Sequence, residues 1–497
     1  MAIQALYVKR NILLNLVLVS MAAISCSFAG SQEQMLGGPV PFPPLPSPFV
    51  AFSMGAIYQN DTRVPFVGDP LTPQMLSSTA GTDSGDDTNT LNSIVAQAAA
   101  HQPASGGTRP VFLPCGIYRV STWSIPGLTG NKFSSVHIRG AGDCTVITQI
   151  STSAGADVVQ IGNAVNSTGD IIFERMAIDF EGTGNKTAGA GIRTYGSARL
   201  QIRDVHMLSG KMHDCIDMNG VTTLMQMDGT VCLAPQNDCW QVYSDGNTPG
   251  AGGIITANNL CNYPVNDGLV IGGRIGGFYV DASILAAGRY GVWITNSLAT
   301  AAGCVASTQT GYQVAGGPCK NREIITGPAA TFDNGNTNSL FVDNNAVEHL
   351  KMVGTYANGG LHGPGILIMP QGPPTSMGQP AVGINGAQIQ MDQVTSNQGP
   401  SNQLTYEDDG ILTITNSSFS WAGGAGILLM PGPDAQISIM NSSMINNGSA
   451  GIYLAGTPAN GVVIGNILSG NAQGSTLNLY GNIGFTCMGN RGNSAGC

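Results

Sequence analysis

The sequence predicts an all-β solenoid built from stacked coils. Five segments align as one repeat: Ala190-Gly191-Ile192-Arg193-Thr194, Asp214-Cys215-Ile216-Asp217-Met218, Asp238-Cys239-Trp240-Gln241-Val242, Asp267-Gly268-Leu269-Val270-Ile271 and Tyr290-Gly291-Val292-Trp293-Ile294. Their central apolar residues are spaced by 24, 24, 29 and 23 residues. Strand-like alternation runs inside each unit and Gly or Asn separates the units, which is the mark of stacked β coils. Composition agrees: of 497 residues 69 are Gly, and only 10% are charged. That is too little Lys and Glu for a helical protein, while the alternating Val, Ile and Leu keep the chain clear of disorder. The net charge of -10 comes without a basic patch, which speaks against nucleic acid as a partner.

Along the chain, Lys9-Arg10, the apolar run Ile12 to Ile24 and the small residues around Ser27-Phe28-Ala29 make residues 1–29 a secretory signal peptide, too short for a membrane span. Export to the periplasm or the extracellular space follows. Cys26, in Ala23-Ile24-Ser25-Cys26, offers lipid anchoring as an alternative, although Leu is the usual residue three before such a Cys. Residues 30–80 open with the Pro-rich stretch Pro39 to Pro48 and read as an extended arm. In 81–110, Asp and Thr residues supply N-caps, and Leu91, Ile94, Val95 and Ala98 recur at helical spacing. This short helix would cover the open end of the solenoid. The coils then run over 111–497, with loop insertions expected near 296–362 and 370–409 that would wall a groove or make a homo-oligomer contact. Asn416, Asn441, Asn446 and Asn447 near strand ends read as turn ladders rather than glycosylation sites.

Losing the leader takes away Cys26 and leaves ten of eleven cysteines, an even number suited to an oxidising compartment. Cys215 and Cys239 share one repeat position, as a bridge or as an unpaired ladder. Cys232 and Cys261 are offset by the same 29 residues as Asp238 and Asp267, which predicts a bridge between neighbouring coils at ~4.8 Å spacing. Cys115/Cys144, Cys304/Cys319 and Cys487/Cys497 are local pairings. Zinc-type Cys/His spacing is absent, so no metal site is read.

The Asp83 to Thr90 turn, the capping helix and the strand Val111-Phe112-Leu113-Pro114-Cys115-Gly116-Ile117-Tyr118 together resemble the N-terminal part of the pectate-lyase-superfamily right-handed parallel β-helix proteins, including tailspike-like polysaccharide depolymerases. The segments beginning at Asp214, Asp238 and Asp267 are similar to the aspartate-bearing coils of polygalacturonase-like hydrolases, in which Asp precedes Gly-Ile or Cys-Ile on consecutive turns. The resemblance implies a polysaccharide or oligosaccharide substrate. Asn237 stands in place of a second Asp before Cys239, and Gly-His-Gly and Arg-Ile-Lys are missing. These departures turn the reading from galacturonan toward a neutral or differently charged glycan.

Alternation sends Ile192, Ile216, Trp240, Leu269 and Val292 inward, so Arg193, Asp217, Gln241, Val270 and Trp293 face out in a row, with Tyr195, Asn219, Tyr243, Gly272 and Thr295 in a second. Rings for CH stacking and fixed polar groups for hydroxyls suit a sugar chain. Asp214, Asp238 and Asp267 occupy one position on three successive coils and are the catalytic candidates; neighbours at ~4.8 Å raise one another's pKa. Two coils apart, Asp214 and Asp267 stand roughly 9 to 10 Å apart at the backbone, a geometry that admits the ~6.5 to 9.5 Å carboxyl separation of inverting glycosidases. Turn capping by these side chains is the competing explanation. His213, Lys211 and Arg289 flank the ladder as auxiliary binding residues, and Glu407-Asp408-Asp409 forms a second acidic cluster, for capping or a cation. The leading reading is a glycoside hydrolase needing no cofactor. A polysaccharide lyase using Ca²⁺ with Arg193, Lys211 or Arg289, a fructosyl-transferring enzyme and a non-catalytic glycan-binding surface protein are the alternatives.

Overall fold

The computed structural model describes residues 70–492 except 83, 101–109, 126–135, 163–167, 196, 220–223, 244–250, 274, 287, 296–320, 334, 344–345, 370–386, 456–459, 473–477 and 480–484. The expected signal peptide, Cys26, most of the Pro-rich arm and the Cys304/Cys319 pair therefore lie outside the described residues.

The chain is a parallel β-helix. Most coils contribute three strands, as in Ala251–Ala257, Leu260–Asn262 and Leu269–Ile271: the first two join a 25-stranded sheet and the third a 13-stranded one. Pairing is parallel throughout, and the expected register holds: Ile192, Ile216, Trp240, Leu269 and Val292 stand opposite one another in turn. The column continues through Leu340, Ile366, Leu404, Ile427 and Ile452, and every member is at most 2% exposed. Each buried aliphatic contributes roughly 1.5–3 kcal/mol relative to exposure, so the column is a main source of cohesion between coils.

At the corners the chain turns in the left-handed region. Gln393, Asn416 and Asn441 (φ +55°, +50° and +51°) share one such corner with Gly465, and Asn446 (+57°) sits at another beside Gly470. Asn tolerates this conformation where β-branched residues do not. Asn447 turns inward, where its Nδ2 donates to Asn471 Oδ1 at 3.0 Å. These asparagines are turn and ladder residues.

The helix α1, Thr88–Ala100, forms as expected and buries Leu91, Ile94, Val95 and Ala98 over the first coil. Asp86 Oδ1 accepts from the Thr88 N–H at 2.9 Å, and the buried Asp87 carboxylate accepts from the N–H groups of Gly81 and Arg119. Part of the arm belongs to this end: Leu71 bridges Val111 and is buried. Among the described residues no helix is long and apolar enough to cross a membrane.

Three expectations are corrected. Residues 321–358 are not insertion: they form Asn321–Thr326, Thr331–Asp333, Asn338–Val342, Val347–Val353 and Tyr356–Asn358. Likewise Gln388–Asp392, Thr395–Gly399 and Leu404–Tyr406 occupy the second stretch. Cys232 and Cys261 do stand opposite each other on neighbouring coils, yet they are not bridged together. The disulfides are Cys215–Cys232 and Cys239–Cys261, each joining positions less than one full turn of chain apart, 17 and 22 residues, across the core between the two sheets, with Cα separations of 6.1 and 5.9 Å. Side chains of both members of each pair point inward, so each cysteine meets its partner across the coil before it meets the one stacked above. Cys115–Cys144 is bridged as read, and Cys487 is also disulfide-bonded.

Candidate active site

Six strands of the 13-stranded sheet build the site: β1 Ala190–Tyr195, β2 Asp214–Asn219, β3 Trp240–Tyr243, β4 Leu269–Ile271, β5 Tyr290–Ile294 and β6 Asn338–Val342. Arg193, Asp217, Gln241, Val270, Trp293 and Phe341 form one register row across them, and Tyr195, Asn219 and Tyr243 a second. The rows are less open than alternation alone implies. Asp217 and Val270 are 4% and 1% exposed, and Thr295 is buried.

The aspartate ladder caps the coils. Asp214 Oδ1 accepts the Asp238 N–H at 3.2 Å, Asp238 Oδ1 the Asp267 N–H at 2.8 Å, and Asp267 Oδ1 the Tyr290 N–H at 3.1 Å. Asp157, unnoticed in the sequence, holds the same position two coils before Asp214, with Ala190 on the coil between: its Oδ1 takes the Ala190 N–H at 2.8 Å. Its signal was present, since Asp157 lies two residues before the inward Val159, as Asp214 lies before Ile216. Capping uses one oxygen of each carboxyl and leaves the other for chemistry.

Those second oxygens differ. Asp214 Oδ2 lies 2.9 Å from His213 Nδ1. Asp238 Oδ2 accepts from Gln241 Nε2 at 2.6 Å, and Gln241 also reaches Asp214 Oδ1 at 3.4 Å. Asn237 Nδ2 likewise lies 2.7 Å from Asp214 Oδ1 and 3.3 Å from Asp238 Oδ2. Two amide groups therefore span the gap between the two carboxyls. Asp267 Oδ2 is taken by Arg289 Nη2, with Arg289 Nε 3.0 Å from Oδ1. Burial, reinforced by the charges of Asp267 and Asp214, pushes the Asp238 carboxyl up to about 7. Burial also raises Asp267, against the pull of Arg289.

A second cluster stands on β1 to β3. Arg193 Nε is 3.0 and 2.9 Å from the two Asp157 oxygens, and its Nη1 donates to Asp217 Oδ2. Burial outweighs that cation and, with the Asp214 charge, lifts Asp217 to about 6. Tyr243 covers the pair, and burial together with Asp217 raises its hydroxyl above the ordinary value.

On the other side lies an aromatic strip. Tyr290 stands 5.9 Å from Trp293 and 4.9 Å from Phe341 between ring centroids, and the Arg289 guanidinium lies 4.7 and 4.8 Å over the Tyr290 and Trp293 rings. Trp293 Nε1 donates to Asp343 Oδ2 at 2.9 Å, which fixes the indole. Tyr290, Phe341 and Asp343 were not singled out from sequence, because β6 lies inside the presumed insertion and Tyr290 precedes its inward residue by two.

Lys211 does not join the site: its Nζ reaches the Phe180 carbonyl at 3.1 Å, because the turn carrying it folds toward the preceding coils. The Glu407 to Asp409 cluster caps, with Asp408 Oδ2 on the Ala387 N–H and Asp409 Oδ1 on the Asp434 N–H. Among the described residues no group of three or more His, Cys, Asp or Glu side chains is placed to hold a metal ion.

Fold and site together define a parallel β-helix protein with a row of acidic and aromatic side chains along one sheet. No family model matches the chain, and no curated protein matches it. Solved structures do. The A-module of Azotobacter vinelandii mannuronan C-5 epimerase AlgE6 is similar over 84% of this chain and 98% of its own, at 14% identity and a TM-score of 0.46. The catalytic unit of the GH87 α-1,3-glucanase of Streptomyces thermodiastaticus matches over 87% and 70%, at 12% identity and 0.42. Tailspike protein 3 of bacteriophage CBA120 matches over 84% and 54%, at 11% identity and 0.36.

Proposed function

We propose that the chain is an exported polysaccharide-cleaving enzyme, a glycoside hydrolase in which Asp238 is the general acid and Asp214 its partner carboxyl. The observation that carries this is the Asp214–Asp238 pair: two buried carboxyls on adjacent coils, spanned by the Gln241 and Asn237 amides and differing in their surroundings. Glycoside cleavage needs one carboxyl that holds its proton near neutrality and one that does not. Asp238 suits the first role, because burial, reinforced by the neighbouring Asp267 and Asp214 carboxyls, disfavours its charged form. Asp214 is the partner carboxyl by position, on the adjacent coil, with three N–H donors on Oδ1 and His213 on Oδ2. In this reading Asp238 gives its proton to the leaving glycosidic oxygen as Asp214 faces the anomeric carbon. Asp267 is a positioning residue, since both its oxygens are occupied by Arg289 and the Tyr290 N–H.

The aromatic strip would seat the neighbouring sugar ring, with CH groups against Tyr290, Trp293 and Phe341. Export is supported by the bridges Cys115–Cys144, Cys215–Cys232 and Cys239–Cys261, which persist in oxidising compartments. The test is to incubate the protein with neutral and acidic polysaccharides, reading new reducing ends and ultraviolet absorbance in parallel. Reducing ends without absorbance are the expected outcome. An absorbing unsaturated uronate would mean elimination and would overturn hydrolysis.

A further inference from the structure

The groove's charges are unequal. Six carboxylates line it, on Asp157, Asp214, Asp217, Asp238, Asp267 and Asp343, all half-buried or buried. Among the described residues its arginines are Arg193 and Arg289, and both are already committed. Arg193 lies between Asp157 and Asp217, and Arg289 is paired with Asp267 and stacked on Tyr290 and Trp293. Only Arg289 reaches solvent substantially, with 42% of its side chain exposed. The remaining polar contacts at the pair are the Gln241 and Asn237 amides and the His213 ring on Asp214 Oδ2, and beside them lies the aromatic strip.

We infer that the groove takes an uncharged glycan and rejects uronate polymers. This rests on the glycan reading above and narrows it. A uronate at the Asp214–Asp238 pair would bring a further negative charge beside carboxyls that already repel one another, with no unpaired groove arginine among the described residues to receive it. In a half-buried site such repulsion is weakly screened. A neutral sugar needs only what is there, amide donors for its hydroxyls and rings for its CH face. The raised proton affinity of Asp238 comes first from burial, and the charges of Asp267 and Asp214 add to it.

The experiment is calorimetric titration of the full chain with size-matched oligosaccharides: neutral hexose oligomers of several linkages, and oligomers of galacturonate and mannuronate, at low salt, above neutral pH, with and without Ca²⁺. A neutral oligomer should bind, and every uronate of equal length should bind roughly tenfold or more weakly. The gap should narrow with added salt and in Asp238→Asn. A uronate that binds as tightly as the best neutral oligomer, with or without Ca²⁺, overturns the inference while leaving the glycan reading intact. Binding of no saccharide overturns both.

Discussion

At the scale of single residues, capping and catalysis are separable at Asp238. Asparagine keeps an oxygen for the Asp267 N–H but carries no titratable proton. Asp238→Asn should therefore lower turnover by at least ~10²-fold, the loss expected for a general acid, with little change in melting temperature. Asp409→Asn, which alters a carboxyl that caps only the Asp434 turn, should leave turnover intact. Full activity in Asp238→Asn would move the acid to Asp217. The pH dependence follows from the same group. Its folded value, about 7, lies above the ~3.9 of an unfolded aspartate. Between those values the folded chain holds a proton that the unfolded chain has released. The stability this represents is complete below the unfolded value and is lost as pH rises through the folded one. Turnover on a neutral substrate should fall through the same upper limb, because the acid must be protonated. Initial rates and thermal melts across pH 4 to 9 check both; rates that climb through pH 7 would contradict the assignment.

At the scale of elements, the adjacent strands β2 and β3 decide two outcomes. Inverting enzymes separate acid and base by ~6.5 to 9.5 Å, retaining ones by ~5 to 5.5 Å. The sequence admitted inversion through Asp214 and Asp267, two coils apart. The Asn237 and Gln241 amides, each in contact with both Asp214 and Asp238, bring the working pair below the inverting range. Proton NMR of the first-formed anomer should therefore show retention, and inversion would return the base to Asp267. The same strands are tied down immediately after each carboxyl, since Cys215 follows Asp214 and Cys239 follows Asp238. Peptide mapping without reduction should recover Cys215–Cys232 and Cys239–Cys261 and no Cys232–Cys261 species. Replacing one pair by alanine should cost about 3 kcal/mol for loops of this length and reduce turnover as well. The wrong partner was chosen from sequence because period analysis aligns residues along the stack, whereas these bridges run across it.

At the scale of the molecule, the coils that were legible are those whose inward residue follows Asp or Gly at a fixed offset, as Ile216 and Leu269 do. The coil through Leu340 was hidden because Asn338 replaces that signal and a long break precedes it. Asp157 was hidden by the 33 residues between Val159 and Ile192. Which carboxyl would be protonated could not be read from the ladder at all, since it depends on Gln241, His213 and Arg289 dividing three equivalent aspartates into three environments. A solenoid also has a property no single coil has: each coil is stabilised by its neighbours, so the first needs a substitute for the coil it lacks. Helix α1 is that substitute, with Ile94 fully buried against the first coil. Ile94→Ala should cost about 2–5 kcal/mol, as for other large-to-small changes in a core, seen as a lower denaturant midpoint. The loss should begin at that end, with amide exchange quickening in Val111–Leu113 and Gly116–Val120 while β2 and β3, several coils away, keep their protection. Uniform loss of protection over all coils would show that the stack unfolds as one unit and that α1 is not a local cap.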